Sequence, residues 1–303
     1  MMQDIMNAKA PIGVFDSGLG GLTVARAIAH ELPHEQIVYL GDTARCPYGP
    51  KEPADVRTYV LEICSFFEKQ GVKLIVIACN TATAAGLAVA QQVFSIPVIG
   101  VVEPGARAAV RATHNRKIGV IGTDGTIQSG IYSNAVRALD AGVTTYSVAT
   151  PLFVEIVEEG LLFDSQSNPH VDAETSDVYI RPQFYSIARG YLKPLKASGV
   201  DTLVLGCTHF PLLSTAIGQV MGADVSLISS ADEMADEVAS TLERRGDAST
   251  MGFPQHKFFT TGDVEDFRKL GSRVFGKQIN DVSHLSVTEL EKYNPQGIAS
   301  KNC

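Results

Sequence analysis

Gly71–Thr81 reads GVKLIVIACNT, and Gly199–His209 reads GVDTLVLGCTH. The two align without a gap. Gly, Val, the central Val and Cys coincide, and the other apolar positions match in kind. A continuous apolar run of this length reads as a strand covered on both faces, as in a parallel sheet flanked by helices. The repeat extends upstream, where Pro11–Ser17 (PIGVFDS) and Lys117–Thr123 (KIGVIGT) each set an Ile-Gly-Val strand before a small hydroxyl residue. The pattern predicts two similar α/β units related by an approximate two-fold axis. Such an axis places Cys79 and Cys207 on opposite walls of one cleft.

The rest of the chain keeps this rhythm. Ile12–Phe15, Ile37–Leu40, Leu74–Ala78, Val98–Val102, Ile118–Ile121, Val143–Val148, Thr202–Gly206 and Val225–Ile228 read as strands. Leu22–Glu31, Asp55–Gln70, Ala84–Val93, Ala106–Thr113 and Ser129–Leu139 read as helices. Strand-then-helix alternation predicts parallel sheets with helices on both faces, and ligands in such folds bind beyond the C-terminal strand ends. Two stretches break the pattern. Asp164–Ser176 is polar and contains Pro169, so it reads as an exposed loop. Ser240–Gln255, with Gly246, Gly252 and Pro254, reads as a surface excursion.

With 303 residues the chain has length for about two domains. Its net charge of −8 opposes the phosphate attraction on which most nucleic-acid binding depends. No apolar run is long enough for a membrane span, and the N-terminal MMQDIMNAKAP has no apolar signal core, so a cytoplasmic protein is expected. The five cysteines are dispersed, which argues for reduced thiols, and no CxxC pair suggests structural zinc. Cys64, in ICSFF, reads as core; Cys303 is terminal; Cys46, in RCPYG, is assigned no role.

A single Cys in an apolar strand is usually core. Cys79 and Cys207 differ in two respects: both end a strand and precede polar pairs, Asn80-Thr81 and Thr208-His209, and both hold the same place in a repeat. Two thiols on opposite faces of one carbon can remove a proton from one side and return one on the other, inverting the centre. Asp16 and His209 are the groups placed to tune them. Asp16 reads equally well as the cap of the following helix. The loop Asp16–Gly21 (DSGLGG) offers backbone amides to an anion, but Thr23 stands where a dinucleotide fingerprint needs Gly. Asp42–Gly49 (DTARCPYG) follows a second strand and reads either as an ordinary loop or as a lid over the cleft.

These residues resemble the cofactor-independent glutamate racemases of bacteria. The likeness rests on GVFDSGLGGLTV (13–24), YLGDTARCPYG (39–49), IACNTATA (77–84), LVLGCTHFPLL (203–213) and TGDVEDFRKLG (261–271). The resemblance implies interconversion of L- and D-glutamate for peptidoglycan synthesis, with no cofactor and no metal. It implies that Cys79 deprotonates D-glutamate and Cys207 L-glutamate, assisted by Asp16 and His209 respectively. Substrate contacts would come from Asp16, Ser17, Tyr48, Gly49, Asn80, Thr81, Thr123, Thr208 and His209, with Glu158 near the site. It also implies a discontinuous first domain, 1–105 plus 230–303, around a second, 106–229. A homodimer and, in some members, a peptidoglycan-precursor activator are further implications. Some members bind DNA gyrase, on which the acidic charge is silent. The long stretch 164–176, Thr150 in place of Cys and Glu155 in place of Pro depart from the family pattern and touch dimer geometry or regulation. An aspartate racemase or other isomerase of the same superfamily would keep both thiols. A two-lobed binding protein would leave them unexplained. A thiol–disulfide role would need the sulfurs at bonding distance.

Overall fold

Uninterrupted apolar strands need cover on both faces, and in the computed structural model they have it. The structure describes residues 8–167, 179, 181–250, 252 and 254–295. Its first half contains β1 (Ile12–Asp16), α1 (Leu22–Glu31), β2 (Ile37–Gly41), α2 (Pro53–Lys69), β3 (Leu74–Ile77), α3 (Asn80–Val93), β4 (Val98–Gly100) and α4 (Val102–Ala112). There follow β5 (Lys117–Gly122), α5 (Asp124–Gln128), α6 (Ile131–Leu139), β6 (Thr144–Ala149), α7 (Leu152–Ser167), α8 (Pro182–Ser198), β7 (Thr202–Gly206), α9 (Ser214–Met221) and β8 (Ser226–Ser229). The chain closes with α10 (Ser230–Arg245), β9 (Lys257–Thr260), α11 (Val264–Phe275), β10 (Val282–His284) and α12 (Val287–Glu291).

Two parallel sheets result, ordered β10-β9-β2-β1-β3-β4 and β6-β5-β7-β8. The run β2-β1-β3-β4 has the same order as β6-β5-β7-β8, so the sequence repeat is a repeat of topology. Every residue of β1, β2, β3 and β7 is buried. In β6 (TTYSVA) none is, which suits an edge strand rich in hydroxyls. Beneath β1, Phe67 packs against the Phe15 and Phe66 rings, at 6.2 Å and 5.7 Å. Burying a side chain of this size contributes about 1.5–3 kcal/mol. Helix α10 packs on both α1 and α4 and so bridges the halves.

Several boundaries differ from expectation for local reasons. Helix α3 starts at Asn80 rather than Ala84, because Cys79 is extended and its sulfur accepts from the Ala82 amide as the N-cap. The predicted strand through Val102 stops at Gly100, where α4 begins with Glu103 and Pro104 in its first turn, both favourable there. The helix expected over Ser129–Leu139 is α6, which starts two residues later, after Gly130 in the left-handed region; the short α5 before it was not expected. Ser240–Arg245 is the end of α10, not a surface excursion; the helix stops at left-handed Gly246. Residues 164–167 of the expected polar loop belong to α7, and 168–176 lie outside the described residues. Cys303 lies outside them too. Strands β9 and β10 were not expected at all; they extend the first sheet past β2.

Candidate active site

The central strand of each sheet is flanked by the strand that carries the repeated cysteine. Ile77 pairs with Phe15 at the end of β3, and Gly206 pairs with Gly122 at the end of β7. Cys79 and Cys207 therefore emerge at equivalent places and line the same enclosed cavity. Ser17, Tyr48, Gly49, Asn80, Thr81, Thr123, Thr208 and His209 line it as well. Asp16 and Glu158 do not; each sits behind one wall.

On the first wall the Cys79 sulfur accepts from Ala82 N at 3.5 Å and lies 4.0 Å from the Ser17 hydroxyl. Burial pushes this thiol well above its ordinary value, the Asp16 charge adds to the rise, and the Ala82 amide only partly offsets it. Burial and the Asp16 charge thus both favour the neutral form of the Cys79 thiol. Asp16 is fully buried. Its Oδ2 accepts from Gly18 N at 3.2 Å and Gly21 N at 2.9 Å, and its Oδ1 accepts from the Thr208 hydroxyl at 3.4 Å. The carboxylate both organises the glycine turn at the head of α1 and reaches the loop of the second thiol. Gly21 is required by that approach: a Cβ there would stand 2.4 Å from the Asp16 Cβ.

On the second wall the Cys207 sulfur lies 3.7 Å from His209 Nδ1. His209 Nε2 has no hydrogen-bond partner, its nearest charge being Glu158 Oε1 at 3.5 Å. Burial disfavours the imidazolium, yet the Cys207 and Glu158 interactions outweigh it and hold His209 well above the usual histidine value. His209 in turn holds the Glu158 carboxyl below its ordinary value. A negatively charged sulfur is served by such a cation beside it. The two walls are therefore unlike: a thiol raised by burial and the Asp16 charge faces a sulfur that stands beside an imidazolium backed by Glu158. Replacing Glu158 by Gln removes one support of the imidazolium. Because Glu158 is half exposed, the expected effect is modest: the alkaline limb of the kcat/KM–pH profile moves down by less than about one unit. An unmoved limb would show that Glu158 has no part in holding the proton.

Donors remain for a ligand. Asn80 Oδ1 accepts from the Tyr132 hydroxyl at 2.7 Å, while its Nδ2 is buried without a partner. The Thr81 and Thr123 hydroxyls meet at 2.9 Å across the cleft, and Gly125 N donates to Gly49 O at 3.1 Å. Tyr48 presents no free hydroxyl, since its phenol donates to Asp42 behind the wall. Cys46 and Pro47, in the stretch that reads as an ordinary loop or a lid, also line the cavity, as does Val154. Cys46 and Pro47 follow β2, so the strand-end rule could have flagged them; Val154, on α7, carries no sequence signal. Burial, with the Glu158 and Asp16 charges, pushes the Cys46 thiol up to about 12, which leaves it neutral.

Two parallel α/β sheets enclosing a pair of strand-end thiols define the class. Residues 21–238 match the Asp/Glu/Hydantoin racemase family, and the chain belongs to it. Within that family the likeness is to glutamate racemases. The glutamate racemase of Exiguobacterium sibiricum is 48% identical over 262 residues, covering 86% of this chain and 90% of that one. The crystal structure of a glutamate racemase from Bacillus anthracis superposes with a TM-score of 0.83 at 43% identity, covering 92% of this chain and 98% of that one. The Escherichia coli glutamate racemase, solved with L-glutamate and the activator UDP-MurNAc-ala, gives a TM-score of 0.72 at 27% identity, with 91% and 98% covered.

Proposed function

We propose that the protein is a glutamate racemase that inverts the α-carbon by two thiols, Cys79 and Cys207. The observation that carries this reading is the pair itself: two repeat-related cysteines on one enclosed cavity, with unlike proton environments. Cys207 takes the α-proton of L-glutamate while Cys79 delivers its own to the opposite face. The reverse sequence converts D-glutamate. His209 stabilises the negative sulfur of Cys207. Asp16 orders the glycine turn and the Thr208 loop and opposes loss of the Cys79 proton. The carbanion formed between them needs its carboxylate held by donors, and Asn80 Nδ2, unpaired and buried, is one. Ser17, Thr81, Thr123, Thr208 and the Tyr48–Gly49 backbone complete the substrate shell.

Sheet membership supports the division into a unit of 1–105 plus 230–303 and a unit of 106–229. Strands from 12–100 and 257–284 form one sheet, and strands from 117–229 form the other. Supply of D-glutamate for peptidoglycan, a cytoplasmic place and a homodimer accompany the racemase reading. An activator of the peptidoglycan-precursor type is supported by the complex of the E. coli relative. Among the described residues no helix is long and apolar enough to cross a membrane.

Turnover of L-glutamate and L-aspartate by the purified protein, with no cofactor added, tests the substrate. Glutamate should be favoured by at least about 10²-fold in kcat/KM. A preference for aspartate would assign the same thiols to the shorter substrate.

A further inference from the structure

The motif at 261–271 touches neither thiol, yet it begins against the strap that forms one wall of the cavity. Thr261, nearly fully buried, donates its hydroxyl to Asp42 Oδ1 at 2.9 Å and accepts from Ala44 N at 2.9 Å. The neighbouring Thr260 hydroxyl meets that of Thr43 at 2.7 Å. A Cβ at Gly262 would stand 2.6 Å from that Thr43 hydroxyl, so the approach requires glycine. Asp42 Oδ2 is bound in turn by Arg45 Nε at 2.6 Å and by the Tyr48 phenol. Arg45 Nη1 reaches Glu62 on α2 at 2.6 Å, and its guanidinium lies 4.0 Å above the Tyr59 ring. Asp42, Arg45 and Glu62 are all buried. The segment Cys46–Gly49 leaves this knot and runs directly along the cavity.

We propose that Thr261 and Arg45 are positioning residues for the substrate: through Asp42 they fix the Pro47–Gly49 wall in the shape that receives it. This rests on the reading of the cavity as the racemase site. The returning C-terminal strand thereby shapes a site whose thiols all lie upstream of it. Neither residue reaches the cavity, so neither touches the proton-transfer steps. Loosening the strap lowers the fraction of molecules with a formed wall. Apparent affinity falls by that fraction while the thiols stay in place.

Thr261→Val keeps the shape and removes both hydroxyl bonds. The expected result is a rise in KM for glutamate of about tenfold with kcat within about threefold, and Thr261→Ser should restore KM. Arg45→Lys, which keeps the charge but loses the two-pronged grip, should shift KM in the same direction. Amide hydrogen exchange at Cys46, Tyr48 and Gly49 should quicken in both variants. Unchanged KM together with unchanged exchange would overturn the proposal, as would a loss confined to kcat. Should Thr261→Val fail to fold, the same two readouts on Arg45→Lys decide. If the wild-type protein has no racemase activity, the reading of the site fails while the exchange experiment still tests the strap.

Discussion

The Cys79→Ser protein is expected to lose racemisation by at least about 10³-fold in kcat/KM, about 4 kcal/mol of transition-state stabilisation. A serine hydroxyl is a far weaker acid than a thiol, so the proton delivered to the carbanion from this wall is withheld. Cys207 remains. It should still remove the α-proton of L-glutamate and return a solvent proton to the same face. In D₂O the variant should therefore place deuterium in L-glutamate without producing D-glutamate. Cys207→Ser should show the mirror behaviour, with deuterium entering D-glutamate alone. Circular dichroism checks that each variant is folded. Full turnover by Cys79→Ser would contradict the assignment of this thiol.

His209→Asn should lower kcat/KM by about 10²-fold. Because the two enantiomers are equal in energy, the loss must be the same in both directions. The sign of the pH dependence follows from the raised value of His209. Its cationic form is present below the ordinary histidine range and is lost as pH rises through the raised folded value. Wild-type activity should therefore fall on the alkaline side as the imidazolium deprotonates, and the same proton should stabilise the fold until that pH is reached. In His209→Asn this limb should disappear. Its persistence would mean that another group titrates there.

Much of this was legible because the fold is built by repetition. The matched strands around Val76 and Val204 announced two like sheets, and the strand-end rule pointed at Cys79 and Cys207 without any knowledge of the tertiary structure. The less legible features depend on contacts distant in sequence. Strands β9 and β10 are only four and three residues long. Their apolar signal is too short to separate from loop. Asp16 could be read as a cap or as a site residue, and the structure shows why both were tenable: the carboxylate binds the head of α1 and the Thr208 hydroxyl together. A thiol is a rare helix cap, so the sequence points to a start of α3 four residues late. The buried pair of Lys73 and Glu35, at 2.7 Å, joins residues whose sequence neighbours give no hint of it. In sequence Cys46 reads as a loop cysteine with no role, but the loop after β2 folds back along the cavity because Asp42, Arg45 and Thr261 hold it there.

The two-thiol inversion is tested most directly by incubating the wild-type protein with L-glutamate in D₂O, with no cofactor added, and following both chirality and deuterium at the α-carbon. D-glutamate should form carrying one deuterium, because the proton it gains comes from a solvent-exchanged Cys79 while the original leaves on Cys207. D-glutamate that retains the original α-hydrogen would contradict a mechanism with two separate bases.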